Sequence, residues 1–220
     1  MIVRKFKDST DICKMVKPYK KVAIIGCGGC YGEGGKPGVL KIEKLIKETG
    51  IEVVASGVTG RQCAWKDRAS KKQLKDDDAI ITLARTSERI KEADVLVSLA
   101  CGVGVQSLTY FAGKKAVIPG FDTFFMGLPE GEVFKEQCIG CGNCILHLTG
   151  GICPIAKCPK SIMNGPCGGV LDNSCEVYPE NNCIWIDIYN RLKDIGELEN
   201  MKIINNPKDF SIRVHPRSIR

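Results

Sequence analysis

Eight of the thirteen cysteines in this 220-residue chain fall between Cys138 and Cys183, and that crowding limits what the region can fold into. The run opens Cys138-Ile-Gly-Cys141-Gly-Asn-Cys144. A C-x2-C-x2-C loop lets three thiolates from one tight turn reach three irons of a cuboidal [4Fe–4S] cluster, the fourth ligand coming from farther along the chain. Cys153, Cys158, Cys167, Cys175 and Cys183 are available for that position. Cys153 and Cys158 each precede a proline, a neighbour that often accompanies a remote cluster ligand. Eight cysteines match two four-thiolate sites. Cys138, Cys141 and Cys144 share one of them, and the four cysteines left over hold either a second [4Fe–4S] cluster or a structural zinc. Spacing leaves the pairing of the distal cysteines open. His147 is a weaker ligand candidate, a plain surface or core histidine being its better reading.

Cysteine usage also bears on compartment. The N-terminus, Met1-Ile-Val-Arg-Lys-Phe-Lys-Asp8, is charged and lacks the apolar stretch of an export signal, so a secreted disulfide scaffold is not expected. Cytosolic thiols stay reduced, and clustered ones there are read as metal ligands. No apolar run approaches the length of a membrane span, which leads us to expect a cytoplasmic protein with no membrane association. The net charge of +7, from 32 basic and 25 acidic residues, is spread along the chain. Its plain reading is a solvated lysine-rich surface; its sharper one is steering toward an acidic electron carrier. Nucleic acid is not expected as a partner, because no basic stretch is interleaved with stacking aromatics.

The first half reads as a parallel α/β layer. Lys21-Val-Ala-Ile-Ile-Gly26 is a short buried-type strand, and 51–57, 94–100 and 115–119 are three more. Between the first two, Val39, Ile42, Leu45 and Ile46 share one face at helical spacing and Gly50 closes the helix. A helix start is also expected at 86–93. Strands alternating with helices predict a Rossmann-like parallel sheet of about four strands with helices on its faces. Loops after parallel strands emerge on one edge, which would carry Cys27 and Cys30, Cys63, and Cys101 to a common crevice. Four thiolates there suit a [4Fe–4S] cluster or a tetrahedral zinc. The alternative is a redox pair or plain turn at Cys27 and Cys30, with Cys63 and Cys101 as small buried hydrophobes. Cys13, ahead of the first strand, reads as a spare thiol.

The loop Gly26-Cys-Gly-Gly-Cys-Tyr-Gly-Glu-Gly-Gly35 also invites a nucleotide reading, since bare glycine amides can approach a pyrophosphate. The register G-x-G-x-x-G is missing, as are a Gly-Lys-Ser/Thr and an acidic residue ending the second strand. Glycines beside thiolates serve a cluster equally well. Arg61 and Arg85 are candidates for tuning charge near such a site, solvated or paired arginines being the plainer account.

From Gly131 the periodic apolar segments give way to short loops punctuated by cysteine, glycine and proline, a composition whose folding leans on metal coordination. The expected organisation is an α/β domain over 1–130, a small irregular cysteine-rich metal-binding module over 131–187, and a C-terminal helix and basic tail over 188–220. Ile184, Trp185, Ile188 and Leu192 share the helical face that packs under the module. The string Cys158-Pro-Lys-Ser-Ile-Met-Asn-Gly-Pro-Cys167-Gly-Gly169, followed by Cys175-Glu-Val177, Cys183-Ile-Trp185 and Ile188-Tyr-Asn-Arg-Leu192, resembles the C-terminal cysteine module of methylenetetrahydrofolate reductases. With the Gly26–Cys30 loop and the C-x2-C-x2-C, the chain over about 20–195 is similar to the MetV-type small iron–sulfur subunits of the two-subunit reductases of acetogenic anaerobes.

That resemblance implies a division of labour. In that family the partner is a flavin-containing TIM-barrel subunit that holds the folate and performs the hydride chemistry. The small subunit accepts electrons, from ferredoxin or another carrier protein, and passes them through its clusters to the flavin. Two to three [4Fe–4S] clusters, with zinc as the alternative in one C-terminal site, are implied, and no catalytic residue is expected in this chain. Two other readings stand beside it: a zinc-stabilised assembly module without electron transfer, and a ferredoxin-like adaptor for another oxidoreductase.

Overall fold

A computed structural model describes residues 1–30 and 33–216. Tyr31 and Gly32 of the glycine-rich loop, and 217–220 of the basic tail, lie outside the described residues. The chain divides into two compact units, Met1–Phe125 and Met126–Arg220.

The first unit is built on the expected parallel sheet. Its strands are β2 (Lys21–Cys27), β3 (Glu52–Thr59), β4 (Val95–Leu99) and β5 (Ala116–Pro119), in the order β3-β2-β4-β5. All three pairings are parallel, with Gly26 opposite Val58 on one side and Leu99 on the other. Apolar runs in β2 and β4 follow from burial on both faces, as a parallel sheet requires. Val22, Ile24, Val95, Val97 and Leu99 pack against α1 (Ser9–Val16) and α2 (Lys36–Glu48). Ala23, Ile25 and Leu96 face α3 (Trp65–Lys72), α4 (Asp76–Ala84) and α5 (Gly102–Thr109). Each fully buried Leu, Ile or Val contributes about 1.5–3 kcal/mol relative to exposure. Both layers are therefore well stabilised without help from a ligand.

Several elements of this unit escape a sequence reading. The N-terminal strand β1 (Ile2–Phe6) flanks β6 (Phe121–Glu130), and Phe6 stacks on Phe121 with ring centroids 4.3 Å apart. Helix α1 starts at Asp8, whose carboxylate accepts from the Thr10 amide at 2.8 Å. The helix expected at 86–93 is a 3-10 turn over Glu88–Glu92, and α3 and α4 occupy the stretch before it.

β6 runs on into the second unit, where it pairs antiparallel with β7 (Val133–Cys138), so that β7 delivers Cys138 at its last residue. Beyond it lie the short α6 (Pro154–Lys157), the two-residue strands β8 (Val170–Leu171) and β9 (Ser174–Cys175), and α7 (Ile184–Asp194). The core here is small: Cys183, Trp185, Ile188 and Leu192 are buried, with Ile152, Val170 and Met201 among their neighbours. Among the described residues no helix is long and apolar enough to cross a membrane.

Candidate metal centres

None of the thirteen cysteines is in a disulfide. In the first unit the sheet order decides which of them are neighbours. β2 is flanked by β3 and β4, so the loops carrying Cys27 and Cys30, Cys63, and Cys101 leave adjacent strands at the same edge. The connection runs from β2 outward to β3 and then back across to β4, which makes the β2–β4 gap the topological switch point where open α/β sheets bind ligands.

Short contacts knit these loops together. The Gly28 amide donates to the Thr59 carbonyl at 2.8 Å, and the Cys27 sulfur lies 4.0 Å from the Gly60 carbonyl. A Cβ on Gly29 would stand 2.3 Å from that same Gly60 carbonyl, so only glycine allows the Cys27–Cys30 turn to press on the loop after β3. Gln62, fully buried beside Cys63, donates to the Ile25 carbonyl at 3.0 Å and accepts from the Ser98 hydroxyl at 2.7 Å. It thereby ties the Cys63 turn to the ends of both β2 and β4. Cys27 and Cys101 are buried, Cys30 is half-buried and Cys63 is exposed. Arg61 and Arg85 are both exposed. Cys13 sits on α1, away from this edge in sequence and half-buried.

The same edge holds a residue that sequence reasoning passed over. Arg4, on β1, is 7 % exposed and donates from Nη2 to the Cys27 carbonyl at 2.7 Å. Its Nε and Nη1 are buried with no hydrogen-bond partner among the described residues. A lone arginine in a terminal segment carries no sequence signal; only the placement of β1 beside β6 brings it here.

In the second unit four cysteines line one cleft of about 740 Å³: Cys158, Cys167, Cys175 and Cys183. Each arrives from a different piece of local structure. Cys158 follows α6, its amide donating to the Pro154 carbonyl at 2.9 Å. Cys175 lies on β9 opposite Val170, in a hairpin whose turn residues Asp172 and Asn173 adopt φ of 47° and 69°. Asx residues tolerate that left-handed geometry best among side chains with a Cβ. Cys183 begins the last helix, and its amide donates to the Asn173 carbonyl at 2.8 Å. Cys167 accepts at sulfur from the Gly169 amide at 3.4 Å. Lys160 reaches the same sulfur at 3.8 Å and ion-pairs with Glu176. The hydrogen bond to Glu176, with the Cys167 sulfur adding to it, holds the Lys160 pKa above the ordinary lysine value.

Cys138, Cys141, Cys144 and Cys153 do not line that cleft. In the C-x2-C-x2-C turn the Gly140 amide donates to the Cys138 sulfur at 3.3 Å, the same i to i+2 contact seen at Cys167. Gly140 and Gly142 take φ of 63° and 81°, which lets the backbone curl around the sulfurs. Segment 205–214 covers this turn: the buried Lys208 amine donates to the Asn143 carbonyl, and a Cβ on Gly142 would stand 2.4 Å from Ile212 Cδ1. Cys153 is the half-buried residue just before α6. His147 is exposed.

Among the described residues no three His, Cys, Asp or Glu side chains close on a common point as metal ligands. The donors nevertheless fit a thiolate centre in kind: none is tied up in a disulfide, and Cys27, Cys30, Cys101, Cys141 and Cys167 each have a glycine neighbour. Amides are already directed at two of the sulfurs.

Residues 118–211 match the family described as methylene-tetrahydrofolate reductase C terminal. The match covers less than half of the chain and relates that segment, which contains all eight clustered cysteines, to methylenetetrahydrofolate reductases. Comparison with curated proteins finds no match, and comparison with solved structures finds none.

Proposed function

We propose that this chain is the iron–sulfur electron-transfer subunit of a methylenetetrahydrofolate reductase, passing electrons to the flavin of a TIM-barrel partner that reduces methylenetetrahydrofolate to methyltetrahydrofolate. The observation that carries the reading is the gathering of Cys158, Cys167, Cys175 and Cys183 around one cleft inside the segment matched to that reductase family. This grouping supports a second four-thiolate site distinct from Cys138, Cys141 and Cys144. By elimination it leaves Cys153 as their fourth ligand. Cys27, Cys30, Cys63 and Cys101 are the donors of a third site, at the switch point of the parallel sheet.

Bound [4Fe–4S] clusters supply one-electron steps at potentials set by charge, hydrogen bonds to sulfur and burial. The chain's own residues supply those settings. The amides of Gly140 and Gly169 point at Cys138 and Cys167, and Lys160 places a cation beside Cys167. The folate chemistry belongs to the partner, and the basic surface suits an acidic donor such as ferredoxin.

The test is metal, sulfide and flavin analysis of the anaerobically purified chain, alone and co-expressed with its partner. Eight to twelve irons with matching acid-labile sulfide are expected from two to three [4Fe–4S] clusters, with about one zinc in place of four irons if the cleft holds zinc. Zinc without iron or sulfide would reduce the chain to an assembly module. A co-purifying partner without flavin would point to another oxidoreductase.

A further inference from the structure

We infer that Arg4 is the buried counter-charge of an anionic metal centre held by the strand-end cysteines Cys27, Cys30, Cys63 and Cys101. The inference rests on the switch-point site of the proposed function, and adds a residue from outside the cysteine set.

The guanidinium sits where such a centre would be felt. It is buried, bonded to the Cys27 carbonyl at the end of β2. A Cβ on Gly34 would stand 2.3 Å from Arg4 Nη2 and 2.6 Å from both the Cys27 and the Leu99 carbonyls. Arg4 therefore lies between the ends of β2 and β4, bonded to the carbonyl of Cys27, the last residue of β2, and close to that of Leu99, two residues before Cys101. Its only other compensation among the described contacts is the Phe121 ring, with Arg4 Cζ 5.0 Å from the centroid. Among the described residues, Nε and Nη1 have no hydrogen-bond partner.

An arginine keeps its charge, and native structures rarely leave a buried guanidinium with two idle donors. Burial without a compensating anion is strongly unfavourable, so the position makes physical sense when negative charge arrives nearby. Four thiolates around a [4Fe–4S] core of charge 2+, or around Zn²⁺, both leave a net charge of 2−. The same chemistry thus satisfies Arg4 whichever metal is present. The exposed Arg61 and Arg85 feel solvent screening and are poorer candidates for this role.

The experiment compares Arg4→Met, Arg4→Gln and Arg4→Lys in the full chain, prepared metal-free and anaerobically loaded. In the metal-free chain, Arg4→Met is expected to raise Tm, because it removes an uncompensated buried charge and keeps the volume. In the loaded chain the order reverses, and loading raises Tm less than in the parent. Removing a unit charge about 10 Å away at an effective dielectric of about 20 shifts a one-electron equilibrium by at least about tenfold. One cluster potential should therefore fall by about 59 mV or more, read by redox titration followed by paramagnetic resonance. Arg4→Gln, which retains an amide donor without charge, should show the same fall, and Arg4→Lys should not. If the switch-point site holds zinc, the fall is replaced by weaker zinc retention against a chelator in Arg4→Met and Arg4→Gln.

Two failures are distinguishable. Unchanged metal content in Cys63→Ala and Cys101→Ala overturns the switch-point site itself. Metal lost in those variants, but with potentials, retention and loading-dependent Tm the same in all three Arg4 variants as in the parent, overturns the role of Arg4 alone.

Discussion

Gln62 shows how one side chain can hold a candidate site in register. It is the residue before Cys63, and its amide spans from the Ile25 carbonyl to the Ser98 hydroxyl with no solvent exposure. Gln62→Leu would fill the same space while leaving those groups unpaired, at about 1–3 kcal/mol for each buried orphan. Urea denaturation of the metal-free chain should read a loss in that range. The double variant with Ser98→Ala should lose less than the sum, since the two share one bond. Residues such as Gln62 and Arg4 are illegible in a single sequence, because an isolated polar residue looks the same whether it is solvated or locked in a core. The cysteines are the opposite case: thiols at C-x2-C-x2-C spacing stand out as candidate ligands before any fold is known.

Short elements place the second set of cysteines. The β8–β9 hairpin turns at Asp172 and Asn173, both with positive φ, and the Asn173 carbonyl accepts from the Cys183 amide. Asn173→Gly should be tolerated, whereas Asn173→Val puts a β-branched residue where φ is 69° and should separate Cys175 from Cys183. Metal content per chain is the readout, with a loss of one site's worth expected for Asn173→Val and none for Asn173→Gly. At Gly142, with φ of 81° and Ile212 packed over it, Gly142→Ala should speed metal release from the C-x2-C-x2-C turn, measured by chelator competition. The elements that a sequence reading overlooks have particular reasons. α5 contains Gly102 and Gly104, and β6 contains Gly127 and Pro129, all residues that usually punctuate loops. In α3 only Trp65 and Ala69 are buried, too few for a periodic signal.

The whole molecule couples two units of different physical make-up. The first has apolar layers on both sheet faces, while the second has a core of a few residues and eight thiols. Metal removal should therefore cost the second unit most of its hydrogen-exchange protection over 138–183 while β2 and β4 stay protected. Equal loss in both units would mean that metal is not what stabilises the second. The sequence by itself determined the parallel α/β layer and the apolar face of the last helix, and picked out the candidate thiol donors, because thiol spacing and hydrophobic periodicity are local properties. Tertiary structure alone decided the strand order that aligns Cys27, Cys63 and Cys101 on one edge. It also decided which four thiols share a cleft, and why an arginine at position 4 ends beside Cys27 at the end of β2. Those juxtapositions join residues far apart in the chain, and only packing can bring them together.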